Sequence, residues 1–170
     1  MPKTWSEAPT REQLKTRIDA FLRAVHAADF EGAFEHCPPC TFVKGEGMKV
    51  RAGLRGKELA DHLAHSMFQA IDGQSAVEEE LASARADAPE TWCKLITPPA
   101  DVDYDSLSLD FPNESGEEYD DVPDDTRASS DGEVLANVHL KGECTDITGR
   151  YLLLEEGGVW TLAFSNFDVM

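Results

Sequence analysis

With 170 residues, 41% of them hydrophobic, the chain is long enough to bury one substantial core, so we predict a single domain over residues 1–170. Its formal net charge of −18 argues against nucleic acid and anionic membranes as partners, because their phosphate groups would be repelled. No apolar run reaches the length of a membrane span, and no apolar segment follows Lys3 as it would in a secretory signal peptide. The four cysteines then indicate reduced thiols rather than a disulfide framework, and we expect a cytoplasmic protein.

Helix patterns dominate the N-terminal part of the chain. Thr10, with a glutamine three residues on, has the form of a capping box, and an apolar face at helical spacing follows it. This predicts a helix over about residues 10–27. Asp29 is placed to cap a second, short helix, which the proline pair beginning at Pro38 ends. A third helix is predicted over residues 57–71.

The middle of the chain is less regular. Residues 41–43 form a short strand candidate, and residues 44–51 indicate a glycine-rich turn or hairpin. Residues 75–88 fit either a helix or a polar insert between strands. Residues 91–97 are apolar and rich in β-forming residues, and residues 101–111 alternate as a strand does.

The clearest structural signal lies in residues 132–170. Apolar and polar residues alternate from Val134 to Leu140, a second β-rich run follows to Leu154, and a third starts at Val159. Two glycines supply the turn between the second and third runs, and Gly149 marks a bulge or bend. We therefore predict an α+β fold in which N-terminal helices pack on a strongly curved, mostly antiparallel sheet.

The negative charge is concentrated in one stretch. Residues 101–133 hold thirteen acidic residues and one basic residue, and we predict a long acidic loop at about 112–130. Such a cluster could steer a basic partner, with an aromatic residue as a hot spot, or simply keep the protein soluble; both interpretations stay open. The candidate partner-binding residues are Glu114, Glu117, Glu118, Tyr119, Asp120, Asp121, Asp124 and Asp125.

Other candidate chemistry is weaker. Cys37 and Cys40 form a CxxC pair, but at the end of a predicted helix rather than at its start, where a redox cysteine would be activated. The alternating aspartates that begin at Asp101 lack the glycine and glutamate of a calcium loop. We therefore predict no metal site and no cofactor, and we interpret both features as structural.

Two histidines on the third predicted helix could line a pocket. His62 and His65 are three residues apart and can face the same side, where His26 or His36 could join them as acid–base groups. The simpler interpretation is that they are two half-exposed helix histidines without an acid–base role, and we favour it. No nucleophile motif and no glycine-rich phosphate loop occur, so we assign no catalytic residue.

The order of helices and strands resembles the nuclear transport factor 2-like (cystatin-like cone) superfamily. The local resemblance lies in residues 28–34, 41–43 and 56–59, and in residues 146–150 and 158–162. The resemblance implies a curved sheet wrapped around helices, with a pocket at the cone mouth. That superfamily includes enzymes, ligand carriers, dimerisation modules and bacterial toxin-immunity proteins, so the fold alone leaves the function open.

From charge and resemblance together, we expect a binding protein rather than an enzyme. Its concrete form is an acidic immunity protein that neutralises a basic bacterial toxin, with carboxylates standing in for substrate phosphates. The alternative is a pocket enzyme or small-molecule binder of the ketosteroid isomerase or polyketide cyclase type, using His62, His65 or Asp168. A homodimerising structural protein is a third interpretation.

Overall fold

The computed structural model describes residues 1–71, 84–85, 87–97 and 132–169. In chain order, these residues form α1 (Arg11–His26), α2 (Phe30–His36), β1 (Cys40–Val43), β2 (Gly47–Val50), α3 (Gly56–Ile71), α4 (Pro89–Trp92), a 3-10 turn (Cys93–Leu95), β3 (Gly132–Leu140), β4 (Glu143–Glu156) and β5 (Val159–Val169). The α+β class is as predicted. The predicted strand over residues 101–111 lies outside the described residues, as does most of the segment 75–88.

The first two helices begin where the sequence predicts. The Thr10 hydroxyl accepts a hydrogen bond from the Gln13 backbone N–H, and the Gln13 side chain accepts one from the Thr10 N–H. This capping box satisfies two N–H groups that the first helical turn leaves without partners. The Asp29 carboxylate accepts a hydrogen bond from the Gly32 N–H and caps α2 in the same way.

Strands β3, β4 and β5 form the predicted antiparallel meander, with β4 in the centre. The turn between β4 and β5 uses Gly157 and Gly158, both with positive φ, as a tight hairpin turn requires. The register of β4 against β5 shifts between Arg150 and Tyr151, which confirms the predicted irregularity beside Gly149. An ideal Cβ on Gly149 would lie 2.8 Å from the Tyr151 hydroxyl, so only glycine fits under that ring.

One face of the meander packs on the helices. Tyr151 of β4 lies opposite Phe164 of β5, and both belong to the main hydrophobic core together with the buried faces of α1 and α3. The Ser66 hydroxyl of α3 accepts a hydrogen bond of 2.7 Å from the Phe167 N–H, which ties the helix to the end of β5. The helix faces predicted from the 3.6-residue period are thus the faces that the sheet covers.

The opposite face of the meander carries the β1–β2 hairpin. Leu152 and Ala163 are paired in register and point away from the helices, where they form a second, small core with Cys40 of β1. The Lys49 ammonium lies 3.2 Å from the Glu156 carboxylate and joins the hairpin to the end of β4. The meander is therefore covered on both faces, by helices on one side and by the hairpin on the other.

One expectation about the fold is wrong. The sheet is not strongly curved: the strands form separate two-stranded and three-stranded sheets, and a sheet of three strands accumulates little twist across its width. The β-rich residues 91–97 form mainly a helical turn rather than a strand. The turn buries Trp92, Cys93 and Leu95 against the core, and that burial outweighs the local preference for strand.

Candidate functional site

The predicted partner-binding residues lie outside the described part of the chain. All eight, from Glu114 to Asp125, fall in the undescribed residues 98–131. The undescribed segments together hold sixteen of the thirty-three acidic residues and one of the fifteen basic residues. The described residues thus carry a net charge of only −3, so the acidity of this protein belongs almost entirely to the segments between α3 and β3.

The residues of the alternative pocket have different environments. His62 is half-buried, and its ring meets the Phe164 ring edge-on at a centroid distance of 6.4 Å. Burial lowers the pKa of His62, and the nearby charges of Arg51 and His65 lower it further. His65 and Asp168 are both exposed. Of the three residues, therefore, only His62 is partly buried.

Aromatic side chains fill the space between α1, α3 and the meander. The Phe164 ring lies 5.3 Å from Phe21, 5.8 Å from Tyr151 and 4.8 Å from Phe167, measured between centroids. All four residues are at most 3% exposed. These distances are those of favourable aromatic pairs, so this part of the described interior is a packed core.

The CxxC pair has the environment of a structural element. Cys37 is the C-cap residue of α2 and Cys40 begins β1, so the helix dipole disfavours a thiolate here, as the sequence predicts. The Cys40 thiol donates a hydrogen bond of 3.4 Å to the Phe164 carbonyl. Burial raises the pKa of Cys40 to about 12 and also raises that of Cys37, although Arg17 opposes the rise at Cys37.

A groove of about 280 Å³ lies where the N-terminal segment crosses α1 and the end of α2. The N-terminal segment is fixed there by backbone hydrogen bonds from Lys3 to Glu35 and in both directions between Trp5 and Trp160. The Arg17 guanidinium lies 3.9 Å above the Trp5 ring, and its Nη1 donates to the Lys3 carbonyl at 2.5 Å. Stacking and hydrogen bonding together hold Arg17 in one orientation.

His36 lines the same groove, and nearby charged groups shift its pKa. Its Nε2 lies 3.5 Å from the Lys3 ammonium, and its Nδ1 is buried without a hydrogen-bond partner in the described structure. Burial lowers the pKa of His36 most, and Lys3 and Arg17 lower it further, whereas Glu35 and Asp29 act in the opposite direction. Burial and the two nearby cations thus disfavour the protonated form of His36.

From the sequence, His36 was considered only as a possible acid–base group beside the α3 histidines, and this groove was not predicted. Trp5, Arg17 and His36 are far apart in the chain and form no motif, so no local signal could have joined them. His26, the other named companion, instead places its Nδ1 2.6 Å from the Ile96 carbonyl.

Two further findings concern the described residues alone. Within residues 1–71, 84–85, 87–97 and 132–169, no three His, Cys, Asp or Glu side chains are grouped so that they could hold a metal ion. No helix in this part of the chain is both long and apolar enough to cross a membrane.

Comparison of the chain with protein-family models, with curated proteins and with solved structures yields no match.

Proposed function

We propose that this protein is an acidic binding module that neutralises a basic protein partner. The observation that carries the proposal is the charge of residues 101–133, which hold thirteen acidic residues and one basic residue. Such a density of one sign attracts a partner of the opposite sign over long range and accelerates its association. The concrete form is a cytoplasmic immunity protein that occludes the basic active site of a bacterial toxin.

The packed interior supports binding through the surface rather than catalysis in a cavity. Phe21, Tyr151 and Phe164 occupy the space between helices and sheet that a pocket enzyme would leave open for its substrate. In this proposal the described fold is a rigid support, and the acidic residues of the segment after α4 make the contacts. Tyr119 would be the aromatic anchor among them.

Affinity capture from the native host tests the proposal in its first step. The tagged protein is washed at low and at high salt, and retained proteins are identified by mass spectrometry. We expect a protein of high isoelectric point that is retained at low salt and released at high salt, because screening weakens attraction between exposed charges. Capture of acidic or neutral proteins alone would contradict the proposal.

The second step compares two variants of equal net charge. The first replaces Glu117, Glu118, Asp120 and Asp121 with the corresponding amides. The matched control replaces four exposed glutamates of the scaffold with glutamine, namely Glu7, Glu46, Glu58 and Glu90.

We expect the loop variant to associate with the captured partner at least about tenfold more slowly at low salt. The control should associate about twofold more slowly, because its lost charges lie away from the proposed contact surface. Equal rates for the two variants would show that only net charge matters and would refute the assigned contact surface.

A further inference from the structure

Arg17 lines the groove beside Trp5, and the exposed Lys3 ammonium lies next to His36 of the same groove. None of the ion pairs among the described residues involves Lys3 or Arg17, although most other arginines there pair with an acid. Arg17 is partly buried, so its guanidinium loses some hydration, and a ligand of opposite charge can offset that loss. The one carboxylate that lines the groove is that of Glu12.

The cationic groups are already arranged for binding. The planar Arg17 guanidinium stacks on Trp5, and one of its N–H groups donates to the Lys3 carbonyl. Its other N–H groups therefore remain as donors for a ligand. The N-terminal segment that carries Lys3 is fixed by backbone hydrogen bonds to Glu35 and Trp160. The backbone that carries Lys3 and the orientation of Arg17 are therefore fixed before a ligand binds, which favours affinity.

We propose that this groove binds a small ligand through an oxyanion, a carboxylate or a phosphate, held by Arg17 and Lys3 beside His36. The planar guanidinium matches the two oxygens of a carboxylate or phosphate, and the Lys3 ammonium adds a point charge. The Glu12 carboxylate repels an anionic ligand and so limits the negative charge of the ligands that the groove binds. Arg17, Lys3 and His36 all lie outside residues 101–133, whose charge carries the proposed protein contact.

Binding of an anion must change the protonation of His36. The groups that act on His36 are Lys3 and Arg17, which disfavour its protonation, and Glu35 and Asp29, which favour it. An anion beside Lys3 and Arg17 offsets their positive charge, so the protonated ring becomes easier to form. Conversely, the anion binds more tightly at a pH where His36 is protonated.

The test is the pKa of each histidine, measured by NMR of the imidazole protons in chloride, in acetate and in phosphate at one ionic strength. With the site filled, we expect the pKa of His36 to rise by about one pH unit relative to chloride, as an opposite charge within about 4–6 Å produces. The exposed His65 of α3 is the internal control and should not respond. A response to acetate identifies a carboxylate site, and a response to phosphate alone identifies a phosphate site.

Three variants separate binding from folding. Arg17→Gln should abolish the response of His36, whereas Arg11→Gln, an exposed arginine of the same helix, should leave it intact. Glu12→Gln should tighten binding by about two- to fivefold, because it removes a repulsive charge, and a damaged fold would not produce this gain. An unchanged pKa of His36 in all three salts, an equal rise at His65, or weaker binding by Glu12→Gln would overturn the proposal.

Discussion

Phe164→Ala tests whether the space between helices and sheet is a packed core or a ligand pocket. The Phe164 ring is fully buried and packs against three aromatic rings within 5.8 Å. Removing a buried phenylalanine ring loses its transfer free energy and leaves a cavity, which together cost about 3–5 kcal/mol. A domain of this kind has about 5–15 kcal/mol of stability, so the variant should keep its fold but lose a large part of that margin.

Urea unfolding followed by circular dichroism measures this cost. With a slope of about 2 kcal/mol per molar urea, the midpoint of Phe164→Ala should fall by roughly 2 M. The matched control is Phe42→Ala in β1, where the ring is 48% exposed, and its cost should stay within about 1 kcal/mol. The slope should not change for either variant, because the surface exposed on unfolding is nearly the same.

Ligand binding to the cavity that Phe164→Ala creates provides a second measurement. Benzene should raise the midpoint of Phe164→Ala and not that of the unchanged protein, because only the variant has an empty apolar space of suitable size. A loss below about 1 kcal/mol in Phe164→Ala, or equal stabilisation of both proteins by benzene, would show that the interior is not packed. The pocket-enzyme hypothesis would then be as well supported as the binding-module hypothesis.

Two predictions concern titration. Burial raises the pKa of Cys40 and of Cys93 to about 12. At pH 8 iodoacetamide should therefore label these two thiols about a thousandfold more slowly in the folded protein than in urea, as measured by peptide mass spectrometry. Equal labelling rates would refute their burial. Burial also lowers the pKa of His62 and of His139. The unfolded state therefore binds more protons, so this contribution to stability is complete above about pH 6.5 and is lost as the pH falls toward the folded pKa values. The urea midpoint should decrease from pH 7.5 to pH 5.5, and less so in His62→Gln; an equal decrease in that variant would contradict the assignment.

Local patterns predicted most of the described secondary structure because they record which side of each element is buried. The apolar period from Leu14 to Val25 predicted α1, and the alternation from Val134 predicted β3. Caps and turns were equally readable, since Thr10 and the glycines after Glu156 act on their immediate neighbours. Residues 91–97 are rich in β-forming side chains, but they form mainly a helical turn that long-range packing stabilises.

From the sequence alone we can predict the α+β class, the three main helices, the meander and the uneven distribution of charge. These follow from composition and from periods of 2 and 3.6 residues, which act over a few neighbours. The three-dimensional fold alone sets which surface each buried face contacts: Phe164 packs against Phe21, and the β1–β2 hairpin packs against the far side of the sheet. It also joined Trp5, Arg17 and His36 into one groove. A periodic pattern shows that a face is covered, but its partner depends on contacts between distant segments, whose free energy no local window contains.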